Sequence, residues 1–279
     1  MCLAAFAINA SARWPLVIAS NRDEFFDRPT LPLAQWQTSA GDTIISGRDL
    51  RAGGTWLGIT PAGRIALLTN VRESQSPVAP KSRGELLMRW LQGCMNADQF
   101  MAQTNSTAYS GFNLVLGDMQ TGAWSCLSNR PKAGGLHSQP MADGVYGLSN
   151  AALNTPWPKT LALKTAMQQA LKIESEAPLW EALASRSRAA KVELPLTGLP
   201  LELETALSSA FVDAPDRGYG TRCTTLLVAR GVKTAQGRQN LQIQVTEKTH
   251  AMQKTDVVVA ASVQQVNLTL QQLNHSAGD

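Results

Sequence analysis

The chain has 279 residues, 44% of them hydrophobic and only 16% charged, with a net charge of +4. This is long enough to bury a sizeable core, and too apolar and charge-poor for intrinsic disorder. The basic residues are scattered rather than clustered, which excludes a dedicated nucleic-acid or membrane-surface patch.

No apolar run is long enough for a transmembrane helix, and the N-terminus lacks the basic start of a secretory signal, so no integral membrane association is expected. Four cysteines, Cys2, Cys94, Cys126 and Cys223, lie at least 32 positions apart. That spacing excludes a Cys-x-x-Cys metal or redox motif and a disulfide framework, leaving reduced thiols in a cytoplasmic protein with no protein-only metal site.

In chain order, residues 2–8 and 16–20 predict a hairpin that turns through Asn9–Arg13. The polar cluster Asn21-Arg22-Asp23-Glu24 closes its second strand. Residues 26–54, with Pro29, Pro32 and Gly53-Gly54, predict irregular chain. Strands are expected over 55–60 and 65–71, followed by a loop over 72–82. Ser82, with Glu85 three residues on, predicts a capping box for a helix over 83–93, and Asn96 caps a second over 97–104. A hairpin follows over 112–117 and 123–128. Thr155-Pro156 opens a helix over 156–172, with further helices over 178–190 and 201–211. Strands return at 224–229, at 241–246 where Leu241, Ile243 and Val245 alternate with polar residues, and at 257–261. The Gln- and Asn-rich residues after about 264 predict a frayed tail. Strands at both ends with helices between them predict one α+β domain over 1–279 with layered sheets.

Four places carry candidate chemistry. Removal of Met1 would leave a Cys2 thiol beside a free α-amine, whose ordinary pKa of about 7.7–8.0 suits a base near neutrality. One residue then supplies nucleophile and base, and no histidine is needed. Arg22 would lower the thiol pKa and Asp23 would hold the amine. In a regular strand the two point to opposite faces, so both reach Cys2 only if the strand ends or bulges there. Asn150, in Gly147-Leu148-Ser149-Asn150, is an oxyanion donor by residue type. Arg222, in Tyr219-Gly220-Thr221-Arg222, enters an apolar strand and needs a partner or ligand. The ordinary alternatives are a packed cysteine, a solvated turn, a helix cap and a sheet-edge salt bridge.

Taken together, these motifs resemble the NRDE family, the family of transport and Golgi organisation protein 2. The resemblance rests on Met1-Cys2, Asn21-Arg22-Asp23-Glu24, Gly53-Gly54-Thr55-Trp56-Leu57-Gly58, Leu68-Thr69-Asn70, Ser82-Arg83-Gly84-Glu85, Gly111-Phe112-Asn113-Leu114, Gly147-Leu148-Ser149-Asn150 and Tyr219-Gly220-Thr221-Arg222, in that order. It implies an N-terminal nucleophile hydrolase-like αββα four-layer sandwich. Cys2 and Asn150 are similar to the nucleophile and oxyanion asparagine of penicillin V acylases and bile salt hydrolases. Those enzymes place an arginine three residues before the aspartate, whereas Arg22 and Asp23 are adjacent here.

The resemblance also implies intracellular haem trafficking. Haem would be a transported ligand rather than a required cofactor, passed to haem-accepting proteins. Cys2 and His137 are then the axial-ligand candidates. Arg22, Arg48 and Arg222 are candidates for its propionates, and Trp56 and Asn70 complete the expected ligand-binding set. Two alternatives stand beside the carrier: a Cys2-dependent hydrolase of a non-peptide amide, and an acyl-CoA binding module.

Overall fold

The structure, a computed structural model, describes residues 2–74, 79–130, 134–233, 239–254 and 257–271. Met1 lies outside the described residues, as do residues 272–279 of the expected tail.

The chain opens with β1 (Cys2–Ile8) and β2 (Leu16–Phe25), continues through β3 (Thr30–Gln37), β4 (Thr43–Asp49), β5 (Leu57–Ile59) and β6 (Arg64–Asn70), and then forms α1 (Gly84–Leu91) and α2 (Ala97–Ala102). Next come β7 (Phe112–Asp118), β8 (Ala123–Ser128), β9 (His137–Pro140) and β10 (Gly144–Leu148). Helices α3 (Pro158–Ile173), α4 (Ala177–Ala184) and α5 (Leu201–Ala206) lead to β11 (Asp213–Ala214), β12 (Tyr219–Lys233), β13 (Gln239–Thr249), β14 (Met252–Lys254), β15 (Val257–Val259) and β16 (Ser262–Gln271).

Two seven-stranded antiparallel sheets form. One has the order β10-β1-β2-β12-β13-β16, with β11 beside β12, and the other runs β3 to β9 in sequence order. Strand periodicity decides how they stack. In β1, Ala4, Phe6 and Ile8 face the core between the sheets, while Leu3, Ala5 and Ala7 face α3 and α4. Ile65 and Leu67 of β6 meet that inner core from the other sheet, while Ala66 faces Leu87 and Trp90 of α1. The layers are therefore helix, sheet, sheet, helix, the expected αββα four-layer sandwich.

Several local expectations change. Residues 26–54 are not irregular, because β3 and β4 pair there despite a register shift between Leu31 and Ala34. The expected frayed tail after 264 begins instead as β16, paired with β13 from Asn240↔Gln271 to Thr249↔Ser262. Its Val266, Leu268 and Leu270 alternate onto the inner core. The helix at 84 is capped by Arg83 with no side-chain cap bond, and Glu85 pairs with Lys81 rather than closing a capping box. Asn96 does form the reciprocal capping box with Gln99. Helix α3 starts at Pro158, two residues later than expected, and α4 and α5 stop early at Ala184 and Ala206.

Candidate functional site

The register of the first hairpin builds the site. Cys2 begins β1 directly opposite Arg22 in β2. Asp23 lies just beyond the end of β1, so its side chain reaches the strand terminus without crossing a neighbour. On the other side of β2 the register shifts, with Asp23 opposite Thr221 and Arg22 opposite Cys223. Arg222 is the extra residue of that bulge, which breaks the alternation locally. Arg22 and Asp23 consequently line the same cavity as Cys2. All four residues of the polar cluster, Asn21 to Glu24, lie within β2, and Asn21, Arg22 and Asp23 are buried rather than forming a solvated turn.

The cavity measures about 580 Å³. Phe25, Trp56, Leu68, Leu203 and Leu207 give it apolar wall, and Arg22, Arg28, Arg83 and Arg217 give it cationic wall. The Arg22 guanidinium lies 4.1 Å from the centre of the Trp56 ring. Gly47 permits this, since a Cβ there would sit 2.4 Å from that indole. Arg28 is held by Asp49 at 2.6 Å.

Asp23 Oδ1 accepts a hydrogen bond from the Thr221 hydroxyl at 2.6 Å, and its backbone carbonyl accepts one from the Tyr219 hydroxyl at 3.0 Å. Burial raises the Asp23 pKa, while the chain's amino-terminal charge, Lys159 and the Thr221 bond oppose the rise. Burial also pushes the Cys2 thiol up, against the amino terminus and Arg22 and with Asp23 and Glu24. Cys223 stands on the far side of Arg22, two strands from Cys2. At about 4.8 Å per strand their Cα atoms are roughly 9–10 Å apart, beyond disulfide reach.

Asn150 does not line the cavity. Its amide donates both bonds to Asn70, to the carbonyl at 2.9 Å and to Oδ1 at 3.1 Å. Asn70 is the residue at the wall, and Asn150 acts on the site by holding it. The Ser149 hydroxyl bridges the Cys2 carbonyl and Asn150 Oδ1, each at 3.2 Å.

The other candidates fall elsewhere. Arg222 binds the carbonyls of Phe25 and Arg28 and the Thr30 hydroxyl, and borders a separate, smaller cavity. Arg48 stacks on Trp36 at 4.3 Å in an outer groove, and His137 is exposed on β9 at the edge of its sheet. Neither Arg48 nor His137 lines the Cys2 cavity. Among the described residues no cluster of three or more His, Cys, Asp or Glu is placed to hold a metal ion.

Beneath the cavity lies a charged network that the sequence reading missed. Arg72 and Glu204 pair at 2.5 Å with side chains 2% and 3% exposed. Lys159 Nζ and Arg72 Nη2 both donate to the Leu207 carbonyl, at 2.9 Å and 3.3 Å. Burial lowers the Lys159 pKa to about 8. Arg83 lies in the Ser82-Arg83-Gly84-Glu85 motif, whereas no local pattern marks Arg28 as part of the wall.

The fold and the site together define a four-layer αββα protein with a buried thiol at the wall of a cavity that mixes apolar, cationic and acidic side chains. The chain belongs to the Transport and Golgi organisation 2 family, whose sequence model matches residues 1–257. It is 30% identical to the transport and Golgi organization protein 2 homolog of Homo sapiens over 226 residues, covering 76% of this chain and 81% of that one. The Mus musculus homolog is 34% identical over 167 residues, 58% of this chain and 59% of that one. The Drosophila melanogaster protein is 28% identical over 197 residues, covering 63% and 67%.

Two solved structures are similar at low identity. One is a Caenorhabditis elegans N-acylethanolamine-hydrolyzing acid amidase ortholog, with TM-score 0.44 and 11% identity over 81% of this chain and 92% of that chain. The other is a conjugated bile acid hydrolase of Clostridium perfringens, with TM-score 0.49 and 8% identity over 96% and 92%.

Proposed function

We propose that this chain is a cytoplasmic carrier for a flat, amphipathic dianion of the haem class, held in the Cys2 cavity and passed on to haem-accepting proteins. One observation carries the reading: the wall combines aromatic and aliphatic side chains and a single thiol with four arginines, which outnumber its three carboxylates Asp23, Glu24 and Asp49. Apolar wall suits the faces of a macrocycle, and guanidinium forks suit its carboxylates. Burial keeps the Cys2 thiol protonated, a form that ligates iron weakly. Weak ligation suits release to an acceptor. Cys2 is the axial candidate that remains, since His137 lies outside the cavity. Soret titration of the wild type and Cys2→Ala tests the proposal. Saturable binding with a band displaced in Cys2→Ala is expected, and absence of saturable binding in the wild type overturns it.

A second reading is Cys2-dependent hydrolysis of a non-peptide amide. It is favoured by Asp23, buried in β2 one residue past the partner of Cys2 and lining the same cavity as the thiol. Once Met1 is removed, the α-amine takes the thiol proton and sulfur attacks the carbonyl carbon. The C–N bond then breaks, the leaving amine takes the proton, and water cleaves the resulting thioester. Two features weigh against it: both Asn150 amide protons are engaged by Asn70, and burial raises the thiol pKa. Intact mass tests whether Met1 is removed, and a panel of acyl amides compared between wild type and Cys2→Ser tests turnover. Retained Met1 or unchanged turnover in Cys2→Ser ends this reading.

A further inference from the structure

Behind Arg22 and Trp56, which also border the Cys2 cavity, lies a second cavity of about 130 Å³. At roughly 30 Å³ per water it has room for about four waters or one small oxyanion. Arg22 and Arg222 both line it, and each is only 5% exposed.

Neither arginine is satisfied. Arg222 spends Nη1 and Nη2 on Phe25, Arg28 and Thr30, and its buried Nε has no partner. Arg22 stacks on Trp56, its nearest carboxylate is Glu24 at 3.8 Å, and its buried Nη1 has no partner. Unpartnered N–H groups on buried cations are costly, and the cost falls when an acceptor arrives. The two cations also oppose each other: after burial, the charge of Arg22 is the main influence lowering the Arg222 pKa.

Glu247 shares the cavity and interacts with the charge of Arg22, one carboxyl group facing two guanidinium groups. Its Oε1 accepts from the Leu33 backbone N–H at 2.8 Å and its Oε2 from the Thr225 hydroxyl at 3.1 Å. Burial raises its pKa, which favours the uncharged form. Thr30, Thr249 and Ser262 add hydroxyls to the wall.

We propose that this cavity is a small-oxyanion site, in which Arg22 and Arg222 hold an inorganic phosphate or sulfate, or a short carboxylate, between them. Through Arg22 and Trp56, which border both cavities, a bound anion would hold the Cys2-side wall in place.

Thermal unfolding reads the site directly, because an anion that binds only the folded state raises Tm in a saturable way. The titrants are inorganic phosphate and acetate, each compared with sodium chloride at matched ionic strength. A saturable rise of a few degrees is expected in the wild type, and the anion that saturates at lower concentration identifies the preferred geometry. Arg222→Gln should lose the rise. Because Arg222 also braces residues 25–30, Ser262→Asp provides the independent check. Its carboxylate enters the cavity in place of the anion, so its Tm should start higher and no longer respond. Absence of a saturable rise with either anion in the wild type overturns the proposal. So does an undiminished rise in Ser262→Asp, which would locate the anion elsewhere.

Discussion

The buried pair Arg72–Glu204 carries the sharpest stability prediction. Both side chains are almost fully enclosed, and the ions meet at 2.5 Å. Glu204 is also bonded by the Thr197 hydroxyl, and the Arg72 guanidinium lies 4.7 Å from the centre of the Trp157 ring. Glu204→Ala removes the carboxylate and leaves a buried guanidinium with one remaining protein acceptor, the Leu207 carbonyl at 3.3 Å. Removing one partner of such a pair costs about 3–5 kcal/mol. At about 2.1 cal/mol/K per residue the unfolding entropy of this chain is about 0.6 kcal/mol/K, so Tm should fall by about 5–8 °C. The double variant Arg72→Met, Glu204→Leu leaves no orphaned charge and should lie within about 1 kcal/mol of wild type. Calorimetry of Arg72→Met, Glu204→Leu and their double variant completes the cycle. A Glu204→Ala loss below about 1 kcal/mol, as for an exposed pair, would refute the reasoning. Additive losses in the double variant would refute it equally.

Lys159 predicts a pH effect. Its folded pKa of about 8 lies below the unfolded value, so the unfolded chain binds more protons between about pH 8 and 10.5 and stability rises across that window. Three buried thiols with raised pKa values act in the opposite sense above about pH 9. The wild type minus Lys159→Met difference therefore isolates the lysine, and should grow by roughly 3 kcal/mol from pH 8 to 10.5. A flat difference contradicts the assignment. Native alkylation should modify exposed Cys94 first and reach the packed thiols of Cys126 and Cys223 only on unfolding, as peptide mass mapping will show. Gly47→Ala drives a methyl into Trp56 and should cost about 1–3 kcal/mol, with an altered tryptophan fluorescence spectrum. An unchanged spectrum would mean that the indole has another resting place.

What was legible in the sequence was local. The hairpin of β1 and β2, the β7–β8 hairpin and the alternation in β13 each carry their signal within a dozen residues, and Asn96 carries its own cap. Hairpin register placed Arg22 and Asp23 near Cys2, but the bulge at Arg222 that lets both line one cavity comes from pairing with β12. Strand β3 was missed because Pro32 and a register shift interrupt its pattern. Strand β16 was missed because Gln and Asn dilute the alternation of Val266, Leu268 and Leu270, which is confirmed only by pairing with β13. The Arg72–Glu204 pair joins residues 132 positions apart, and no local pattern announces it. Asn150 shows a subtler failure: residue type named it as a donor, but only the fold reveals that Asn70 already takes both of its bonds.

The place of β1 in its sheet has a practical consequence for protein engineering. It is hydrogen-bonded on both sides, to β10 and β2, and its first residue opens onto the large cavity. An affinity tag or fusion partner joined ahead of Cys2 would start at that opening and compete with whatever enters. Strand β16 is four strands away along the same sheet, about 19 Å at ordinary strand spacing. A tag attached after it would leave the opening free.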